Sequence, residues 1–246
     1  MFLKLRPLFY SLIFLGGLEL IVFFHRHVLI ILLFLMIFSC FQGRWMGKKW
    51  SFSVLPVLFS ISSGSLLYLI TLSFEQQIFI LLAFLMYYLS LFGAYRLGQY
   101  DGDKTASGMN MSSAMSTLFF VFSSSFGIYL NFLVPLYWLI LTYLIATLLV
   151  SYQYLIIIKK EDKKIVWIYS FLLALVMGEV IWVLSFWPFG YLTVGTVALI
   201  IYYIEWDLIR SYFLENLSRK KMATNFVFFS IMIALILTSS KWLPSL

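Results

Sequence analysis

Two glutamates stand inside apolar runs, where a carboxyl can do chemistry that an exposed one cannot. Glu19 lies about 12 residues beyond Pro7, or ~18 Å along a helix, and Glu179 about 14 beyond Ile165, or ~21 Å. In a hydrocarbon core ~30 Å thick both sit near the middle, at similar depth. An acid at a helix centre costs on the order of 2.5–3.5 kcal/mol on the insertion scale. No Lys or Arg lies at that depth to pair with either, so each is expected protonated or hydrogen-bonded. Such groups serve as proton or cation relays, or as sites for a polar ligand. The plainer reading is an interhelical hydrogen bond that specifies packing.

Other residues carry weaker signals. Glu205, Asp207 and Arg210 cluster near the end of an apolar run. Arg210 follows Asp207 by three residues, so the two share a helical face and are expected to form an ion pair. Functionally, the three could form a mouth leading towards Glu179. The longest polar stretch, 98–112, holds Asp101 and Asp103. Two carboxylates in a Gly-rich loop could share a divalent cation, and a plain solvated loop explains them as well. The run Lys159–Lys164 reads as a solvated turn with some affinity for anionic lipid. Hydrolytic chemistry is poorly supplied. His25 and His27 flank Arg26 in one loop, no His-Glu-x-x-His pattern occurs, and Ser63 beside Gly64 has no buried base. The histidines could bind an exterior metal or titrate near neutral pH. The single cysteine, Cys40, excludes an intramolecular disulfide within these residues.

The elements that must position these residues follow from composition. Of 246 residues, 63% are hydrophobic, 20% aromatic and 11% charged, and the mean hydropathy is +1.00. Soluble domains run at roughly 45–50% apolar and about 25% charged, so this is a polytopic membrane protein. Apolar runs between polar breaks predict spans at 7–24, 28–41, 51–72, 78–95, 113–130, 135–158, 165–187, 190–209 and 222–240. Nine spans of ~20 residues use ~180 positions and leave no room for a soluble catalytic or ATP-binding domain. The N-terminal run mimics a signal peptide, but no small-residue cleavage site follows, so it reads as an uncleaved first span. Pro56 is expected to kink its helix.

Charge tests the span count independently. Lys4, Arg6, Arg44, Lys48, Lys49, Arg96, Lys104, Lys159, Lys160, Lys163, Lys164, Arg210, Arg219, Lys220 and Lys221 fall on one side, and only Arg26 and Lys241 on the other. That is 15 of the 17 basic residues. Cytoplasmic loops carry the excess of Lys and Arg, which places the N-terminus inside and the C-terminus outside. It also reads the net charge of +7 as a membrane signature and not a nucleic-acid one. Trp45, Trp50, Trp167 and Trp206 are expected at the inner interface, and Trp138, Trp187 and Trp242 at the outer one.

Small residues four apart, Ser60 and Gly64, Ser123 and Gly127, Ala174 and Gly178, allow close helix packing. Serine runs are expected to bond back to their own helix carbonyls and are not evidence of a polar pore. The stretch Gly178-Glu179-Val-Ile-Trp182, the turn Trp187-Pro188-Phe189-Gly190, Tyr202-Tyr203 and Trp206-Asp207-Leu208 resemble small polytopic membrane proteins of uncultivated small-genome bacteria. That family has no known function. The resemblance covers the last 80 residues or so, and implies a bacterial cytoplasmic membrane and a role for Glu179.

The expectation is an all-α, polytopic transmembrane helix bundle, one integral membrane domain over 1–246. Its partners are the lipid bilayer and either another membrane subunit or a second copy, with no cofactor, no metal and no nucleic acid. Three functions stay open. The first is a transporter, or the membrane subunit of one, with Glu19, Glu179, Glu205, Asp207 and Arg210 as binding residues. The second is an assembly subunit whose acids specify packing. The third is an intramembrane lipid enzyme using Asp101 and Asp103 or the Glu205–Arg210 cluster.

Overall fold

The computed structural model describes residues 5–100, 102–158, 162–215 and 218–240. These residues form helices and no strand. The helices are α1 (Arg6–Phe23), α2 (Val28–Gly47), α3 (Val54–Leu69), α4 (Ser73–Gln99), α5 (Lys104–Phe132), α6 (Leu136–Ile158), α7 (Lys163–Leu184), α8 (Tyr191–Phe213) and α9 (Arg219–Ser239). Including the short turns that lead into α2 and α3, nine segments among the described residues are long and apolar enough to cross a membrane. Lys4, Asp101, Lys159, Lys160, Glu161, Lys241 and Trp242 lie outside the described residues. The chain divides into two compact units, Met1–Ser124 and Ser125–Leu246.

Several boundaries differ from the sequence reading, each for a local reason. The second span is not 14 residues long but runs to Gly47, 20 residues in all. Gln42 is accommodated inside because Tyr87 bonds its side chain, and Arg44 is accommodated at the end by stacking 4.0 Å over the Trp50 ring. Residues 73–77 are not a connection but the first turns of α4, where Gln76 Nε2 donates to the Ile70 carbonyl at 2.7 Å. Most of the supposed loop 98–112 is helix. Asp103 precedes α5 and its Oδ1 accepts from the backbone N–H of Thr105 and Ala106, at 3.0 and 3.2 Å. An acid in that position satisfies donors that have no partner within the helix. Pro56 falls in the first turn of α3, where its missing N–H leaves no bond unmade, so it helps to start the helix instead of kinking it.

In lipid, helices gain little by hiding apolar surface from one another, so close backbone approach and hydrogen bonds hold them together. Unit Met1–Ser124 uses both. A Cβ on Gly43 would lie 2.6 Å from the Ser53 Cα, and one on Gly98 would lie 3.0 Å from the Gly47 carbonyl. Gly64 lies against Leu32, and its helical neighbour Ser60 bonds to Ser39, so the Ser60–Gly64 pair does face α2. Aromatic rings fill the centre. Phe14 stacks on Tyr87 at 4.1 Å between centroids, and Phe59 meets Phe120 at 5.2 Å. Serine back-bonding is observed: Ser60 donates to the Pro56 carbonyl, and Ser63 to that of Phe59.

Unit Ser125–Leu246 packs α6 against α7 and α8. Ala174 and Gly178 are buried, but Gly178 has only ordinary clearance, 3.6 Å from a Cβ to Ile140. The turn after α7 brings Phe189 into the core, with Trp187 N–H donating to the Leu184 carbonyl at 3.1 Å. Trp206 faces inward, away from the outer surface of the unit. It is 1% exposed, with Tyr154 edge-on at 5.0 Å.

Candidate functional site

Each unit buries a tyrosine hydroxyl on a polar cluster. In the first, Tyr87 on α4 lies within hydrogen-bond distance of Ser39 Oγ (2.8 Å) and donates to Gln42 Oε1 (2.6 Å), both on α2. Ser39 also shares a hydrogen bond with Ser60 of α3, so three helices meet at one hydroxyl network. Three more polar atoms at neighbouring levels, Gln42 Nε2, Ser90 Oγ and Asn110 Oδ1, are buried with no partner among the described residues. The cluster is neutral throughout. It can order helices and hold polar molecules, but it carries no acid.

In the second unit, Tyr202 on α8 shares a hydrogen bond with Ser151 on α6 at 3.0 Å. One turn further along α8 comes Glu205, between the buried Tyr202 and Trp206. Its Oε2 is sealed from solvent and has no hydrogen-bond partner among the described residues. Two residues on, Asp207 Oδ2 accepts from Asn225 Nδ2 of α9 at 2.9 Å. Arg210 stacks over the Trp206 ring at 5.3 Å. The expected Asp207–Arg210 ion pair is therefore replaced: the acid ties α8 to α9 and the guanidinium turns back along its own helix.

The mid-span acids are placed differently from one another. Glu19 is half-buried, with Gln77 Nε2 of α4 donating to its Oε2 at 3.3 Å. That is the packing arrangement. Glu179 is exposed, on the same outward face of α7 as Trp182 and Val183. Within the second unit, α7 and α8 run antiparallel through the short 185–190 turn, and Tyr169 meets Phe213 edge-on at 5.2 Å. Counted from that contact, Glu179 lies ten residues along α7 and Glu205 eight back along α8. Glu179 faces outward, whereas Glu205 is half-buried.

Asp103 is already committed. Besides the two backbone N–H groups on Oδ1, Arg96 pairs with Oδ2 at 2.6 Å. The Ala106 N–H foremost, and the Arg96 guanidinium, hold its carboxyl below the usual carboxylate range. Both oxygens are thus spent, which leaves little for a shared cation. Asp101, its suggested partner, lies outside the described residues. No group of three or more metal-ligating side chains occurs among the described residues.

Sequence reasoning missed the Tyr87 and Tyr202 clusters. A usable signal existed: Gln42 and Asn110 interrupt otherwise weakly polar surroundings, and an amide inside a span needs partners on other helices. The hydroxyl partners are too common in apolar helices to be marked by type alone.

A family model with the description "Protein of unknown function (DUF5656)" matches residues 41–239. The chain belongs to that family, and the likeness extends well beyond the C-terminal third. No curated protein and no solved structure matches it.

Proposed function

We propose that this chain is a membrane transport protein, or the membrane-embedded subunit of one, in which Glu205 is the exchangeable carboxyl. The reading rests on one observation: Glu205 Oε2 is buried within a membrane-length helix and has no donor among the described residues. A carboxylate in such a place is costly unless a proton or a cation joins it. Groups of this kind mark ion or proton paths. The adjoining Tyr202 and Ser151 hydroxyls supply further hydrogen-bonding capacity beside it. The expected bacterial cytoplasmic membrane, with the basic loops inside, belongs to the same proposal.

A second reading has its own support. Glu19 bonds Gln77 across α1 and α4, and Asp207 bonds Asn225 across α8 and α9. Acids used in this way join helices, as an assembly subunit would require.

Proton flux into liposomes carrying the full chain, driven by a potassium–valinomycin potential, separates the two. The transport reading expects a flux above that of empty liposomes, reduced at least about tenfold by Glu205→Gln. Glu19→Gln and Glu179→Gln should leave it within about twofold. Gln keeps the size and hydrogen bonding of the side chain but has no proton to exchange. A flux unchanged by Glu205→Gln, or none in the wild type, would overturn the role given to Glu205 and favour the assembly reading.

A further inference from the structure

One end of the first unit collects charge from two junctions some fifty residues apart in sequence. α2 ends at Gly47 and α4 at Gln99, and the two helix ends touch through backbone: a Cβ on Gly98 would lie 3.0 Å from the Gly47 carbonyl. That contact brings Arg44, Lys48 and Lys49 of the α2–α3 junction beside Arg96 and Lys104 of the α4–α5 junction. Arg96 is taken by Asp103. Arg44, Lys48, Lys49 and Lys104 are exposed, and residues 41–53 contain no acid to neutralise the first three. We infer that this end of the first unit binds the headgroup of an anionic phospholipid.

Two features favour a lipid at this place. Trp45 and Trp50 are exposed there, 73% and 57%, and indole rings on such a surface rest at headgroup level. The cations beside them therefore stand at the height of lipid phosphates. Arg44 is also held, stacked 4.0 Å over Trp50, so a guanidinium is fixed in position before any ligand arrives. A guanidinium offers paired donors to phosphate oxygens, and the flanking ammonium groups add charge. Lys48 adopts a left-handed conformation, φ 57°, which favours glycine, yet a cation occupies it. A lysine there also complements the negative end of α2. The site is independent of Glu205 and of the transport reading.

The test uses the full chain in mild detergent, offered equal amounts of phosphatidylcholine and phosphatidylglycerol, with bound lipids counted by native mass spectrometry. The wild type should retain phosphatidylglycerol preferentially. Each cation removed should weaken the preference about fivefold, so Lys48→Gln with Lys49→Gln should cost about 25-fold. Arg44→Gln tests the fixed guanidinium separately, and circular dichroism checks that each variant is folded. Arg26→Gln, an exposed cation at the α1–α2 junction, should leave the preference within about twofold. Equal retention of both lipids by the wild type would overturn the inference. So would a preference that survives in folded Lys48/Lys49 and Arg44 variants, or one lost equally on changing Arg26.

Discussion

The two units bury a tyrosine hydroxyl in similar fashion and surround it differently. In the first, Tyr87 reaches Ser39 and Gln42, Ser39 reaches Ser60, and every member is neutral. Glycines bring the same helices within contact of backbone atoms. In the second, Tyr202 has the single partner Ser151 among the described residues, Glu205 stands one turn further along α8, and a Cβ on Gly178 would meet only ordinary contact. The first arrangement spends its tyrosine and serine hydroxyls on holding three helices in register, and the atoms left without a partner beside it among the described residues, Gln42 Nε2, Ser90 Oγ and Asn110 Oδ1, belong to neutral groups. The second leaves a carboxyl oxygen uncommitted. A membrane protein that must stay assembled while one group exchanges a proton or ion gains from keeping those tasks apart, because a group already satisfied by fixed partners has little reason to bind anything mobile.

Substitutions can break that contrast, and the largest effect is expected at the glycines. Gly43→Ala forces a methyl against the Ser53 and Phe52 backbone, and should destabilise by ~1–3 kcal/mol. Gly178→Ala meets only an ordinary contact with Ile140 and should be neutral or stabilising, by up to ~1 kcal/mol, because alanine favours a helix interior. Unfolding in mixed micelles with increasing dodecyl sulfate would measure both. Similar losses at the two sites would erase the distinction between tightly and loosely packed units.

Next come the hydroxyls. Tyr87→Phe removes the donor to Gln42 and a partner of Ser39, and should cost ~1 kcal/mol by the same titration. Tyr202→Phe loses one bond to Ser151 and should cost nearer ~0.6 kcal/mol, the average for such bonds in membrane helices. A larger loss at Tyr202 than at Tyr87 would mean that the second cluster, not the first, is the main fastening.

The smallest effect concerns pH. Asp103 has a folded-state pKa below its unfolded value, so its contribution is complete above about pH 4, the unfolded range. It is lost as pH falls further, through the folded value. The stability difference between wild type and Asp103→Asn should therefore be constant from pH 7 to about pH 5 and shrink below about pH 4. Melting curves across that range would show it, and a difference that grows on acidification would contradict the pairing with Arg96.

Span number and approximate position were legible because hydrocarbon imposes one strong rule: some twenty apolar residues per crossing, with cations kept to the loops. The ends were less legible. The polar letters of 98–112 suggested a loop, yet Asp103 starts a helix in which Asn110 is buried. Gln42 and Arg44 suggested an end to α2, yet Tyr87 and Trp50 receive them. Gln42 is received by a residue 45 positions away, while Arg44 and Asp103 are received by near neighbours whose placement residue type alone does not mark.

The acids show the same division. Their presence inside apolar runs, and the cost that makes them worth examining, follow from the one-dimensional pattern alone. So does the membrane character of the chain, since hydropathy summed over a span needs no knowledge of neighbours. Which acid is committed and which is free was decided only by the helices packed beside it. Gln77 engages Glu19, Asn225 engages Asp207, Arg96 engages Asp103, and Oε2 of Glu205 is left without a donor among the described residues. Hydrogen bonds act over about 3 Å, and contacts at that range between residues 18 or 58 positions apart exist only once the helices have been brought together.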